Sequence, residues 1–366
     1  MGSEGEAAAL AAIRPLQRMN ESSRTDAQAP ALGGLPYSEG WLRAWEKAFV
    51  DASGWLGPLT LPQSEGEPTG LTIGWARQKV GPVPVASVAG WYWPARGVGM
   101  LGSALVPAEL ERLADELHRA VRWLPLRMGP VVSDDVPTQR LLGALKARGF
   151  SIWRRELGAV MRLGLASGCR IEDRASRSLL KNLAYLRRRT AKDLGQVTSE
   201  RVVLSAGNVA TTLNRVAAIE TSSWVVGRNA DAKFVGERNQ VFWTALAAEP
   251  SSGWQPVVWI LSAGGRDLAF SAHLEHGQCV WIIANSYIEE HAALSPGSLL
   301  TEDVIADAIA RGVRVIDWGQ GDSGYKGRWG AVAAASLHDH LCVAPGLVQS
   351  IFDLLAARRL QAWSRL

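Results

Sequence analysis

Ser295–Gly330 reads SPGSLLTEDVIADAIARGVRVIDWGQGDSGYKGRWG. A helix is expected over Ser298–Arg311, because Leu300, Val304, Ile305, Ala308 and Ile309 recur at helical spacing and form one apolar face. Gly312 ends it, and the apolar run VRVIDWG then reads as a strand buried on both faces. Upstream, Pro256–Ser262, Leu268–Glu275 and Cys279–Tyr287 are strand-like runs joined by the short turns AGGRD and HGQ. A hairpin, a helix and a buried strand in that order define an α/β unit.

The first half of the chain repeats the order. Ser38–Phe49 spaces Trp41, Trp45 and Phe49 by four, which places them on one helical face. Strand-like runs follow at Leu71–Arg77 and Val83–Trp93, then a Pro-started helix over Pro107–Trp123 and the buried strand LRMGPVV. A helix over Thr138–Arg148 and a strand over Ser151–Leu163 complete that half. The division expected is a disordered segment over 1–36, rich in Ala, Gly, Ser and Glu, a first unit over 37–165 and a second over 166–366.

Composition limits the classes of function. With 47% apolar and 20% charged residues, the chain can bury a core in each half, and no apolar run reaches the roughly 20 residues of a membrane span. The N-terminus lacks the basic start and long apolar segment of a secretory signal, so a cytoplasmic protein is expected. Three widely spaced cysteines give neither a disulfide framework nor a CxxC motif. The net charge of +4 is too small to imply DNA binding, yet Arg170–Arg201 alone holds nine basic residues against four acidic ones. That segment contains a helix over Ser176–Leu194 with Leu179, Leu183, Leu186 and Leu194 on one side, stopped by Gly195. Further helices are expected over Asn208–Thr221 and Glu237–Ala248.

Several motifs carry possible chemistry. Ser295, Pro296, Gly297, Ser298 and Leu299 open a helix whose unpaired N–H groups suit a pyrophosphate; the same residues also make an ordinary capped helix start. The tetrapeptide GDSG at Gly321–Gly324 imitates the nucleophile segment of trypsin-like proteases. Only 50 residues and a helix separate His273 from Ser323, however, so Ser323 is read as a turn residue. RGVGMLG at Arg96–Gly102 is formally GxGxxG, but no helix follows it directly, so it reads as a glycine-rich turn. His338, His340 and Cys342 alternate on one side of a possible strand without a visible third and fourth metal ligand, so no metal is expected. In Leu268–Glu275, Ser271, His273 and Glu275 share a polar face, and His273 and Glu275 are candidate bases or hydrogen-bonded sheet residues. Arg187, Arg188 and Arg189 would attract a polyanion or present a solvated helix face.

Taken in order, the basic helix LKNLAYLRRRTAKDLG, the segment FWTALA, SPGSLL and DWGQGDSGYKGRW resemble the GNAT-like acetyltransferases of the CelD/BcsL family, associated with cellulose and exopolysaccharide biosynthesis. That family is similar in fold to the Fem aminoacyl transferases. GWLRAWEKAF resembles the start of its first, degenerate unit, whereas Trp224-Val225-Val226-Gly227 departs from the Trp-Lys pair of relatives. The resemblance implies two tandem GNAT-like units of the acyl-CoA N-acyltransferase fold, with mixed sheets flanked by helices. It implies acyl-CoA held at Ser295–Leu299 with help from Arg188, and a small-molecule or sugar acceptor near Lys326, Trp329, Trp224 and Glu275. Asp322 or His273 would take the acceptor proton, and Tyr325 would protonate the thiolate. A Fem-like enzyme using aminoacyl-tRNA and a non-catalytic CoA-binding module are the alternatives.

Overall fold

The computed structural model describes residues 39–53, 55–60, 70–80, 83–88, 97–101, 107–121, 124–223, 225, 232–248, 254–322, 324–359 and 364–365. The expectations for residues 1–36, for the end of the Val83–Trp93 run, for Trp224 and for Ser323 fall outside them.

In the first half, α1 (Glu39–Ser53) precedes β1 (Trp55–Thr60), β2 (Gly70–Val80), β3 (Val83–Val88) and the short β4 (Gly99–Leu101). Then come α2 (Pro107–Val121), β5 (Leu126–Val132), α3 (Val136–Ala147) and β6 (Ser151–Gly164). The second half runs α4 (Arg177–Leu194), β7 (Val197–Val203), α5 (Val209–Thr221), α6 (Glu237–Ala248), β8 (Gln255–Ala263), β9 (Arg266–His276) and β10 (Cys279–Tyr287). It ends with α7 (Pro296–Ala310), β11 (Val315–Gln320), β12 (Val332–Val343), α8 (Leu347–Arg359) and β13 (Ser364–Arg365).

All strands join one mixed sheet in the order β1-β2-β3-β5-β12-β6-β11-β10-β9-β8-β7, with β4 on β2 and β13 on β6. The repeat expected from sequence is present. In each half the second strand of a hairpin (β3, β10) leads through a helix (α2, α7) to a parallel neighbour (β5, β11). The last strands are exchanged: β12 lies between β5 and β6, and β6 lies between β12 and β11. The sequence reading lacked β1, β7 and α8 and saw only part of β12. These are short, half-exposed or charge-bearing segments whose apolar periodicity is weak.

Three apolar clusters hold the helices to the sheet. Trp41, Trp45 and Phe49 are all at most 3% exposed, and the Trp41 ring meets Phe242 edge-on at 4.8 Å, which locks α1 to α6. That cluster continues along one face of β9 through Phe270, Ala272 and Leu274. On the other face, Leu183 and Leu186 of α4 and Leu299, Leu300, Val304 and Ile305 of α7 pack over Trp259, Leu261 and Ile316. Leu110, Leu113 and Leu117 of α2 and Leu141 and Leu145 of α3 cover Leu126 and Met128.

RGVGMLG is partly strand: Gly99–Leu101 pairs with β2, and Gly97 lies against the start of α3. A side chain at 97 would put Cβ 2.5 Å from Asp135 Oδ2, so glycine is required there. Asp135 is 5% exposed, and burial, aided by the Asp134 charge against the Thr138 hydrogen bond, pushes its carboxyl up to about 7 from 3.8. The folded chain therefore binds a proton more tightly here than the unfolded chain. Stability should fall as pH rises from about 4 to about 7, by at most about 1.4 kcal/mol per pH unit. Asp135→Asn should flatten that slope in urea titrations; an unchanged slope would show that Asp135 ionises freely.

Candidate functional site

β10 and β11 pair as parallel strands only over Cys279–Trp281 and Val315–Asp317. Beyond those residues Ile282–Tyr287 and Trp318–Gln320 share no ladder, so a wedge opens between the carboxyl ends of two parallel strands. Alternate backbone N–H groups of a strand point to each side, so some N–H groups of β10 face this gap without a β11 acceptor. A register shift between Ile282 and Ala284, where β10 bulges against β9, redirects the chain at the same level.

Three elements converge on the wedge. The N-terminus of α7 abuts the end of β10, since a Cβ at Gly297 would lie 3.3 Å from Tyr287 Cδ1. Its cap, Ser295, has φ +50, the one left-handed non-glycine residue among the described residues, and makes no side-chain capping bond. The N–H groups of Ser298 and Leu299 turn back to the Ser295 carbonyl at 2.9 and 3.1 Å, which leaves the Gly297 N–H and the Ser298 hydroxyl for an anion. The first turn of α7 contains no acid. By contrast α2, its counterpart in the first half, carries Glu109, 3% exposed, in its own first turn.

The loop after β11 forms the opposite wall. Asp322 Oδ1 accepts the N–H groups of Gly324 (2.8 Å) and Lys326 (3.1 Å), and its Oδ2 accepts that of Gly327 (3.1 Å). Lys326, 6% exposed, donates to the carbonyls of Trp318, Gln320 and Gly321 at 2.9, 3.0 and 2.5 Å, which uses all three of its protons. Burial lowers its pKa. The loop is thus internally fastened, and it presents Tyr325, whose Oη accepts Asn285 Nδ2 at 3.2 Å across the wedge. Burial raises the phenol pKa above 10, with the Asp322 charge acting the same way and Asn285 opposing. Because Oη accepts from Asn285, its own proton remains free to be donated into the gap.

The structure brings together Tyr325, Asp322, Lys326, Ser295, Pro296, Gly297 and Ser298, and places Trp329, Leu299, Arg188, His273 and Glu275 elsewhere. Trp329 is 2% exposed and lies in the core under α4 and α7. Leu299 is buried in the same core. Arg188 is exposed on α4; its neighbour Arg187 is the one that reaches α7, donating to Glu302, Asp303 and the Leu299 carbonyl. His273 is fully buried on the sheet face beneath α7, 2.7 Å through Nε2 from Ser271 Oγ and 3.8 Å through Nδ1 from Glu275 Oε1. Burial holds it neutral by lowering its pKa. Glu275 binds Arg201 at 2.6 Å and Arg311, at the far end of α7, at 2.8 Å. Of the two readings open for this polar face, the geometry is that of a hydrogen-bonded, buried network. His338 and His340 stand with ring centroids 6.0 Å apart, and no group of metal-ligating side chains occurs among the described residues.

Sequence reasoning missed Asn285, which was signalled by the polar NSY that ends the otherwise apolar CVWIIANSY. It named Arg187 beside Arg188 and Arg189 but assigned Arg188 to the donor, although the phase of Arg187 with Leu183 and Leu194 sets it on the inner side of α4.

Residues 177–327 match the model of a family described as an acetyltransferase (GNAT) domain. The match spans α4 to the Tyr325 loop and so contains every wedge residue named above. Among solved structures, the chain is similar to the C-terminal domain (DUF2156) of a putative lysylphosphatidylglycerol synthetase from Agrobacterium fabrum, at 12% identity over 87% of this chain and 93% of that one, with a TM-score of 0.51. It is also similar to FemX, at 13% identity over 85% and 93% of the two chains, with a TM-score of 0.50. At these identities the likeness is one of fold. No curated protein sequence matches the chain. No described helix is long and apolar enough to cross a membrane.

Burial alone would push the Glu275 carboxyl up, but the nearby His273 and the hydrogen bond from Arg201 outweigh it, with the Arg311 charge acting the same way, and hold it at about 2. Its contribution to stability is complete above pH 4.5 and is lost as pH falls towards 2. Glu275→Gln leaves Arg201 and Arg311 without their shared carboxylate and should cost about 3 kcal/mol at pH 7 in denaturant unfolding. A loss near zero would mean that the network is solvated.

Proposed function

We propose that the protein is an acyltransferase that moves an acyl group, acetyl in the first instance, from acyl-CoA directly to an amine or hydroxyl. The observation that carries this is the wedge between β10 and β11, closed at one end by the acid-free N-terminus of α7 and inside the segment that matches the GNAT domain. The positive end of the α7 dipole, the Gly297 N–H and the Ser298 hydroxyl suit the CoA pyrophosphate, and the absence of Cβ at 297 lets this turn lie close against the Tyr287 ring at the end of β10. Glu109 places a carboxylate at the equivalent point of α2, where it would repel a phosphate, so the donor is assigned to the second half.

With the thioester in the wedge, its carbonyl oxygen faces the unpaired N–H groups of β10, which stabilise negative charge as it develops there. The acceptor nitrogen or oxygen attacks the carbonyl carbon, the C–S bond breaks, and the sulfur takes the proton of Tyr325. Asp322, at the exposed mouth beside Tyr325, is the carboxylate assigned to the acceptor proton once attack has made it acidic. Lys326 serves as the brace of this loop, whereas Trp329, buried in the core, and His273 and Glu275, in the network beneath α7, are assigned no contact with the substrates. The acceptor approaches from the side of α5 and α6, where Glu220 fixes the 233–235 backbone by accepting three N–H groups at 2.7–3.0 Å. The resemblance to the CelD/BcsL family supports a sugar or polysaccharide precursor in that place.

Calorimetry with acetyl-CoA should give micromolar binding that Gly297→Asp abolishes; no binding of acetyl- or long-chain acyl-CoA to the parent protein would defeat the donor assignment. Tyr325→Phe should lower kcat by about 100-fold at an acyl-CoA KM within about threefold of the parent. A general acid works while protonated, so the parent rate should fall as pH rises through the phenol pKa, above 10. Full turnover in Tyr325→Phe would remove that residue from the mechanism.

A further inference from the structure

β11 stops following β10 at Asp317, and at the same residue it slips register against β6, with no pairing between Asp317 and Gln320. The side chain of Asp317 is at the pivot. Its Oδ1 accepts the N–H of Gly319 at 2.7 Å, closing a tight turn in which Gly319 has φ +66, and its Oδ2 accepts Nε of Arg162 at 2.7 Å. Arg162 stands on β6 and grips Asp134, in the turn after β5, with both terminal nitrogens, at 2.5 and 3.2 Å. Asp317 and Arg162 are 3% and 5% exposed. A charge so buried holds its place only if its partners are fixed, and here the partners come from three separate chain segments.

Arg162 and Asp134 both precede residue 177, where the acetyltransferase match begins. We propose that Arg162 is a positioning residue for the donor wedge: by clamping Asp317 it turns the end of β11 away from β10, so the first half of the chain completes the donor site of the second. The ligand in this statement rests on the acyl-donor reading, whereas the clamp and the turn do not. Gly321, beyond the turn, is then held to β6 by its N–H to the Ala159 carbonyl at 2.9 Å, which sets where the Tyr325 loop begins.

The test uses the full chain with Arg162→Met, Asp317→Asn and Asp134→Asn. Asp339→Asn is the control, since Asp339 is an equally buried carboxylate held by Arg127 and Arg155 on β5 and β6, away from the wedge. Amide exchange over 318–322, which carries the Gly319 and Gly321 N–H groups, should speed up at least about tenfold in Arg162→Met and Asp317→Asn and stay at the parent rate in the control. Asp134→Asn, which keeps the Asp317 leg, should fall between and serves if Arg162→Met does not fold. The Kd for acetyl-CoA should rise by about tenfold or more in step with exchange. Unchanged exchange over 318–322 in Asp317→Asn and Asp134→Asn, or equal acceleration in the control, overturns the clamp. Faster exchange with no acetyl-CoA binding even by the parent chain upholds the clamp and overturns the donor reading.

Discussion

Beyond Trp281 and Asp317 the parallel ladder between β10 and β11 ends, and the rest of the site follows from where it ends. A buried strand whose backbone N–H groups lose their partners must place them on something else or leave them to a ligand. On the β11 side the chain finds internal partners: the Asp317 carboxylate takes Gly319, and Lys326 and Asp322 saturate the following loop. On the β10 side no side chain among the described residues takes the strand's N–H groups beyond Trp281, so those donors face the gap. That asymmetry, one wall fastened to itself and the other with unspent N–H groups, is what suits a polarised carbonyl.

The two halves are built alike and used differently. Each has the hairpin, helix and parallel strand that would place a helix N-terminus beside diverging strands, but α2 fills that position with its own Glu109 and α7 leaves it free. The exchange of β6 and β12 then ties the halves into one sheet. Through that exchange Arg162 comes to lie beside Asp317, and α1 comes to share a core with α6 through Trp41 and Phe242.

Much of this was legible in the sequence because strong periodicity survives any tertiary context. The spacing of Leu300, Val304, Ile305 and Ala308, the stop at Gly312 and the apolar VRVIDW marked α7 and β11 to within two residues. The repeat of the unit could be read for the same reason. The site was read less well, since residue type does not report burial. Lys326 and Trp329 look like surface contacts in DSGYKGRWG, yet one is spent on three carbonyls and the other is core. His273 and Glu275 sit on an alternation that suggests a wet face, and α7 covers it. Strand exchange is invisible to local pattern, and with it the meeting of Arg162 and Asp317 across 155 residues.

The most direct test is a crystal structure with a non-hydrolysable acyl-CoA analogue. The account predicts the pyrophosphate at Gly297 and Ser298, the acyl carbonyl between β10 and β11 within hydrogen-bond reach of a β10 N–H, and the sulfur-equivalent atom facing Tyr325 Oη. An analogue seated at α2, or one that leaves the β10–β11 gap empty, would contradict it.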